Sequence, residues 1–475
     1  MVISIKAARD KIKVRGQEVE YSFDLLFARV ACVSTPQEMQ DNLSFEFAKS
    51  APAMFEKGLM RKNTKSVLGA AVRAGQVIEN IPPSPRDRYV IDGGKFIQCV
   101  PWPVGSETYN DICEGYIKSA KETYPDHSHF VMDGYDDPNS VKVCEQQRRI
   151  KGNVAKDIIF EGHTKLSKFK KAEFLSNRNN KGRFVKILSQ KLRVAGYEVT
   201  ECNGDADYEI AQAALDQSQH GPTVLDATDT DIQAMLISYE NVSDHLVIKL
   251  VNGRHRISDI KRNLKDNAVN YLAVVHALSG CDTTSALFRK GKIQAFKVLI
   301  NTEDMSFLDV FKKPNSTQDQ IATSGEKFLL RLYKAPVTCH TLDELRFHQY
   351  KNQVNKKKLT SASGLELRAL PPTSDAAKYH SYRSYLQVQQ WLGHNKDPTE
   401  WGYVRDSYLI PIIKDKPAAP DKVLRLISCG CKQGCTDKTC VCVKAGMFCT
   451  ILCSGCNGRD CTNVEHVPEH DDRDV

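Results

Sequence analysis

The chain has 475 residues, 41% of them apolar, and a formal net charge of +8. That length is enough for two or three domains with a sizeable core, and the apolar share fits a globular rather than a disordered chain. No stretch is long and apolar enough to span a bilayer, and the stretch from Met1 to Glu20 has no signal-peptide core, so neither a membrane role nor secretion is expected.

Residues 1–85 read as a mixed helical and irregular segment that closes at Pro82-Pro83-Ser84-Pro85, a run of turn formers that marks a boundary. Between 86 and 301, short apolar runs alternate with helix-like stretches. The runs are Tyr89-Val90-Ile91, His129-Phe130-Val131-Met132, Tyr197-Glu198-Val199-Thr200, Pro222-Thr223-Val224-Leu225 and Leu246-Val247-Ile248-Lys249-Leu250. This alternation predicts an α/β domain, a mostly parallel sheet flanked by helices. Residues 302–425 read as helical and then irregular, ending in a linker at Pro417-Ala418-Ala419-Pro420. A cysteine module follows over 426–464, and 465–475 is an acidic tail expected to be disordered. The nucleus is the expected location, with the cytoplasm as the alternative; Lys356-Lys357-Lys358 resembles a nuclear signal but is too short to carry weight.

Charge is unevenly spread. Residues 151–193 hold twelve Lys/Arg and three acids, a local balance of +9 that leaves the rest of the chain near neutral. Such a block can face phosphate, because each lysine or arginine that neutralises a phosphate releases a counterion. The competing reading is a solvated helical face.

Nine of the sixteen cysteines fall between Cys429 and Cys461: Cys429, Cys431, Cys435, Cys440, Cys442, Cys449, Cys453, Cys456 and Cys461. Their odd number and the absence of a secretion signal argue for metal over disulfides. Zinc takes four soft ligands in a tetrahedron. Nine thiolates serve three zincs if three of them bridge, or two zincs with one cysteine to spare. The segment is too polar and short to fold on a hydrophobic core, so metal must supply much of its folding energy. The seven other cysteines show no ligand spacing and read as core thiols. Cys429-Gly430-Cys431-Lys432, Cys440-Val441-Cys442 and Ala445-Gly446-Met447-Phe448-Cys449 resemble one half of a tesmin/TSO1-type CXC domain. That resemblance implies structural zinc and contact with DNA. Classical members have two such halves and a tyrosine where this chain has Thr439. Stability, docking to a chromatin or protein partner, and nucleic-acid contact are therefore all open roles.

A second set of residues carries hard ligands. Asp92 ends the first apolar run and Asp133 the second. Asp205 and Asp207 follow the third, Asp229 and Asp231 the fourth, and Asp282 follows a helix-like apolar stretch that contains His276, itself read as a core residue. In an open parallel sheet, sites form beyond the carboxyl ends of the strands. Carboxylates gathered there need cations between them, and oxygen ligands with room for water suit Mg²⁺ or Mn²⁺. Two such ions about 4 Å apart can clamp the attacking and leaving oxygens of a phosphodiester. Any single one of these aspartates has a competing reading as a helix N-cap or turn residue.

In their order, Ile91-Asp92, Met132-Asp133-Gly134, Asp205-Ala206-Asp207, Thr228-Asp229-Thr230-Asp231 and Gly280-Cys281-Asp282 resemble the motifs of flap-endonuclease/XPG-type nucleases of the PIN-like fold, over about residues 88–300. The resemblance implies a two-metal nuclease. In it, Asp92, Asp133, Asp205 and Asp207 hold one Mg or Mn ion, and Asp229, Asp231 and Asp282 the other. Lys142, Arg148 and Arg149 then contact the scissile phosphate. It places the +9 segment where family members have a helical arch, and likens Phe288-Arg289-Lys290-Gly291-Lys292 to a hairpin that grips duplex backbone. Family members usually have glutamates at the positions of Asp205 and Asp207. The combination of this core with Leu370-Pro371-Pro372-Thr373 and one cysteine-rich tail resembles a group of uncharacterised animal proteins linked to mobile elements. The expected function is metal-dependent cleavage of DNA or structured nucleic acid. The alternatives are a catalytically inactive nucleic-acid- or chromatin-binding protein on the same fold, and a scaffold whose aspartates are only caps.

Overall fold

Val90, Ile91, Phe130, Val131, Met132, Val224 and Leu225 are all buried, as expected of strands covered on both faces. In the computed structural model they form the centre of a six-stranded sheet. Its strands are β1 (Arg88–Asp92), β2 (His129–Met132), β3 (Glu198–Glu201), β4 (Thr223–Asp226), β5 (Leu246–Leu250) and β6 (Gly253–Arg256). The order is β6-β5-β4-β1-β2-β3. Every pairing is parallel except the β5–β6 hairpin. The chain therefore runs from β1 outward to β3 and then crosses back to place β4 on the other side of β1. That reversal puts a crevice at the carboxyl ends of β1 and β4.

The structure describes the chain apart from residues 1–8, 15–16, 23–25, 28–29, 31–33, 77, 136–140, 142–154, 167–168, 357–366, 407, 421–422, 424–428, 432–433, 437–439, 445–448, 450–452, 454, 457–460 and 464–475. Flanking the sheet are α1 (Ser66–Arg73), α2 (Gly93–Cys99), α3 (Tyr109–Thr123), α4 (Arg178–Val194), α5 (Asp207–Ser218), α6 (Thr230–Ser238), α7 (Asp266–Leu278) and α8 (Lys292–Asn301). Beside β1 and β2 lies an aromatic core of Phe96, Tyr109, Tyr116, Phe130, Phe160, Phe174, Phe184 and Tyr197. Tyr109 and Phe160 stack at 4.0 Å between centroids. Helix α5 lies along β1, β4 and β5, while α6, α7, α8 and α1 pack on one another.

The expected N-terminal segment of 1–85 is not one body. Residues 59–328 and 379–412 make one compact unit, and 1–58, 329–378 and 413–475 make another. Residues 59–85 join the sheet because they are bonded to it: Ile81 N–H donates to Arg254 O at 2.8 Å, and Arg254 N–H donates to Asn80 Oδ1 at 2.9 Å, so this stretch covers the β6 edge. In the other unit, Leu26, Phe27, Met39, Leu43 and Phe47 pack with Leu367, Leu370 and Ala419. The fully buried Arg346 donates to the carbonyls of Leu43 (2.8 Å), Phe45 (3.2 Å) and Pro371, and pairs with buried Glu46 at 3.4 Å. Glu46 in turn accepts from Thr373 N–H at 2.7 Å. The Leu370-Pro371-Pro372-Thr373 motif is thus stapled to residues 43–46, with each buried charge paired. Among the described residues no helix is long and apolar enough to cross a membrane.

Candidate functional site: two carboxylate clusters and a thiolate cluster

Asp92 ends β1 and caps α2, accepting from Lys95 N–H at 3.0 Å. The cap reading is therefore correct for this residue, and it does not exclude a second role. Two glycines follow. A Cβ at Gly94 would stand 3.1 Å from Asp133 Oδ2 and 3.2 Å from Asp92 Oδ1, so the two carboxylates share a small space that only glycine leaves open. Gly134, just after Asp133, donates its N–H to Gly204 O at 2.7 Å, and a Cβ there would meet Cys202 O at 2.1 Å. This close approach ties the loop after β2 to the loop that carries Asp205 and opens α5 at Asp207. Burial, and then the charges of Glu209, Asp133, Asp205 and Asp207, push the Cys202 thiol up to about 12. Burial, and next the neighbouring Asp133, raise Asp92 above the usual carboxylate range against its backbone hydrogen bonds. Tyr135 donates its hydroxyl to Asp133 at 3.2 Å, and Lys181 lies 3.8 Å from Asp133 while resting over the Tyr135 ring.

These side chains fit a divalent cation. They are hard oxygen donors, and two of them, Asp92 and Asp133, flank a space that a single methyl would fill. Among the described residues no three carboxylates bring oxygens within 4.8 Å of one another, so the acids form no closed cage. A set this open suits an ion that keeps several of its waters.

The second cluster differs in kind. Asp229 caps α6 by accepting from Asp231 N–H at 2.8 Å. Asp231 is buried and accepts from His276 Nε2 at 2.7 Å, which fixes the Nε2–H tautomer. Into the cluster reaches Lys65: its Nζ lies 2.9 Å from Asp231 Oδ2, 2.8 Å from Asp282 Oδ2 and 3.8 Å from Asp229 Oδ1. Burial alone would raise Asp231, but His276 and Lys65 hold its carboxyl far below the ordinary range. Burial and then Asp231 push Asp229 up to about 6. Burial, then Lys292, pull His276 down to about 4, so it is a neutral donor at pH 7. His276 stacks on Trp391 at 5.7 Å, and its backbone carbonyl accepts from the buried Lys292 at 2.5 Å. As they stand, these carboxylates do not fit a second divalent ion, because an ammonium already holds the oxygens the ion would need.

Several sequence expectations change here. Lys142, Arg148 and Arg149 lie outside the described residues. The described part of the basic segment is no open arch: α4 buries Phe184, Val185, Leu188 and Leu192 against the aromatic core, and its first turns carry Arg178 and Lys181 to Tyr135 and Asp133. Lys292 faces inward, so the turn before α8, with Arg289 in the left-handed region, presents less charge than its sequence suggests. Missed altogether were Lys65, Glu209 and Asp226, the last buried at the end of β4 and held by Lys95, by Lys249 at 2.8 Å and by the Tyr124 hydroxyl at 3.0 Å. Asp-x-Asp-x-Glu over 205–209 was a usable signal for Glu209.

In the other unit, the cysteine thiols draw together in three overlapping sets of four: Cys429, Cys435, Cys440, Cys449; Cys429, Cys442, Cys449, Cys453; and Cys435, Cys449, Cys456, Cys461. Within each set the sulfurs lie inside 4.8 Å of one another, as tetrahedral zinc requires. Cys449 belongs to all three, so shared thiolates are built into the arrangement, while Cys431 stands outside the sets. Of the cysteines expected in the core, Cys113 and Cys281 are buried, Cys202 and Cys339 are half-buried and Cys99 is exposed.

No family model and no curated relative matches the chain. Among solved structures it is similar to the flap endonuclease of bacteriophage T5 in complex with DNA and metal ions, at 13% identity and a TM-score of 0.32, over 57% of this chain and 98% of that one. It is also similar to a T5 5′-exonuclease mutant, at 12% identity and a TM-score of 0.30, over 63% and 99%. A third such structure, the T5 5′-exonuclease with divalent zinc bound, matches at 12% identity and a TM-score of 0.33, over 57% and 98%. Likeness this weak leaves the reading of the site to the geometry of the chain itself.

Proposed function

We propose that the protein is a metal-dependent nuclease whose divalent ion, Mg²⁺ or Mn²⁺, is held by the first cluster. The observation that carries this reading is that Asp92 and Asp133, at the carboxyl ends of two adjacent parallel strands, face one space beside Gly94, while Gly134 N–H to Gly204 O ties in the loop that leads to Asp205 and Asp207. Burial and a neighbouring acid raise Asp92 and Glu209, and a cation beside them removes that cost. When bound, the ion supplies Lewis-acid charge for phosphodiester hydrolysis. The chain's own groups do the rest. Tyr135 and Lys181 orient Asp133, and Lys181 and Arg178 bring positive charge from α4 to the rim where a phosphate backbone would lie. The cysteine module holds two or three zinc ions through shared thiolates and serves as a structural or docking element.

Labelled single-stranded, duplex and flapped DNA, offered to the whole chain with Mn²⁺, tests this reading. Cleavage should fall at least about a hundredfold in Asp133→Ala, the scale of losing one preorganised electrostatic group. Binding without cutting by the unaltered protein favours the inactive nucleic-acid-binding reading, which the filling of the second cluster by Lys65 also suits.

A further inference from the structure

Lys65 does not look like a surface side chain that has swung inward. It stands immediately before α1, whose Leu68, Gly69 and Val72 are buried and which packs on α6 and α8. On either side of it the chain is pinned. Arg61 O accepts from Ala286 N–H at 2.8 Å, Asn63 Nδ2 donates to Ser279 O at 2.8 Å, and Arg73 donates to Gln233 on α6 at 2.7 Å. The ammonium therefore arrives at the cluster on a fixed stem, and the Asn63 and Arg61 bonds tie that stem to the loop that bears Asp282. Its contacts with Asp231 and Asp282 are of full charge-assisted length. The remaining oxygen of Asp231 is taken by His276. A divalent ion on the same oxygens would need distances of about 2.1 Å and would meet a like charge already held on them.

We propose that Lys65 takes the place of a second divalent ion, so that the protein works with one ion, held by the first cluster, and one built-in ammonium in the second. This rests on the reading of the first cluster given above. Lys65 is then a positioning residue: it neutralises Asp231 and Asp282, holds the loop after α7 against the start of α6, and keeps a fixed positive charge beside the crevice between β1 and β4. Unlike a bound ion, that charge cannot be removed by a chelator or exchanged for another metal.

The test counts Mn²⁺ bound to the zinc-loaded whole chain by titration followed by electron paramagnetic resonance, with no activity readout. The unaltered protein should bind one Mn²⁺ and Lys65→Ala two, because removing the ammonium frees three carboxylates. Asp133→Ala in the Lys65→Ala background should return the count to one. Should Lys65→Ala fail to fold, Lys65→Gln serves in its place. An unaltered protein that binds two ions, and only one in Asp282→Asn, would overturn the proposal without any lysine variant. A count of none in the unaltered protein with one in Lys65→Ala would instead sink the reading of the first cluster, while leaving Lys65 as the cation of the second.

Discussion

The two carboxylate clusters use the same residue type at the same end of the same sheet and reach opposite electrostatic states. In the first, burial and then Asp133 push Asp92 up, and Lys181 lies 3.8 Å from Asp133. In the second, Asp231 is held far down by His276 and Lys65. The first cluster keeps a raised carboxyl in Asp92, and the second is neutralised by an ammonium from its own chain. Counting aspartates therefore does not count metal ions; what matters is whether a lysine or histidine from elsewhere in the fold reaches them first.

The sharpest way to break this comparison is to remove one acid from each side. Asp231→Ala strips the acceptor from both Lys65 and His276 and should cost about 3–5 kcal/mol of stability, the usual result of orphaning one side of a buried pair. Asp133→Ala in the metal-free protein should change stability by less than about 1 kcal/mol, since Asp133 is itself about 32% exposed, its Lys181 pairing is long at 3.8 Å, and its loss relieves Asp92. Urea denaturation of both variants checks the contrast. Equal costs would remove the distinction between the clusters.

A smaller effect appears in pH dependence. A carboxylate whose folded pKa is raised binds its proton more tightly in the folded state, so stability falls as pH rises from the unfolded value, near 4, through the folded one. Asp92 behaves this way, and so does Asp229, whose window closes at about 6. Asp231 has the opposite sign: its contribution is present above the unfolded value and is lost as pH falls below it. Asp229→Asn, which keeps the helix cap, should flatten the decline in stability between about pH 4 and 6 by on the order of 1–3 kcal/mol, and Asp92→Asn should flatten it in the same direction. Asp231→Asn, which removes the charge that helps to raise Asp229, should also lessen the decline in that window, and denaturation curves at pH 4, 5 and 6 would show whether it does.

The smallest change proposed is one methyl group. Gly94→Ala places a Cβ 3.1–3.2 Å from Asp133 and Asp92, tight enough to displace a carboxylate by a few tenths of an ångström. Mn²⁺ affinity of the first cluster should drop about tenfold, roughly 1.4 kcal/mol, with the melting temperature nearly unchanged. An unchanged affinity would mean that the space beside Gly94 plays no part in holding the ion.

Much of this molecule was determined by local sequence. Short apolar runs buried on both faces made parallel strands, and the aspartates that end them were legible because a strand's carboxyl end in such a sheet is a fixed place. The nine closely spaced cysteines likewise declared a thiolate cluster, since no other core was available to so short a stretch. Lys65 was not legible: it sits in the polar run Arg61-Lys62-Asn63-Thr64-Lys65, which has no periodicity, and it meets Asp231 across 166 positions of chain. Nor could sequence show that α4 turns an apolar face to the aromatic core while carrying Lys181 to Asp133, or that Lys292 points inward beneath His276. Pattern along the chain fixes which residues end a strand or line a helix face, because those depend on neighbours a few positions away. Which cation reaches which carboxylate depends on how separate segments pack, and only the tertiary structure decided that.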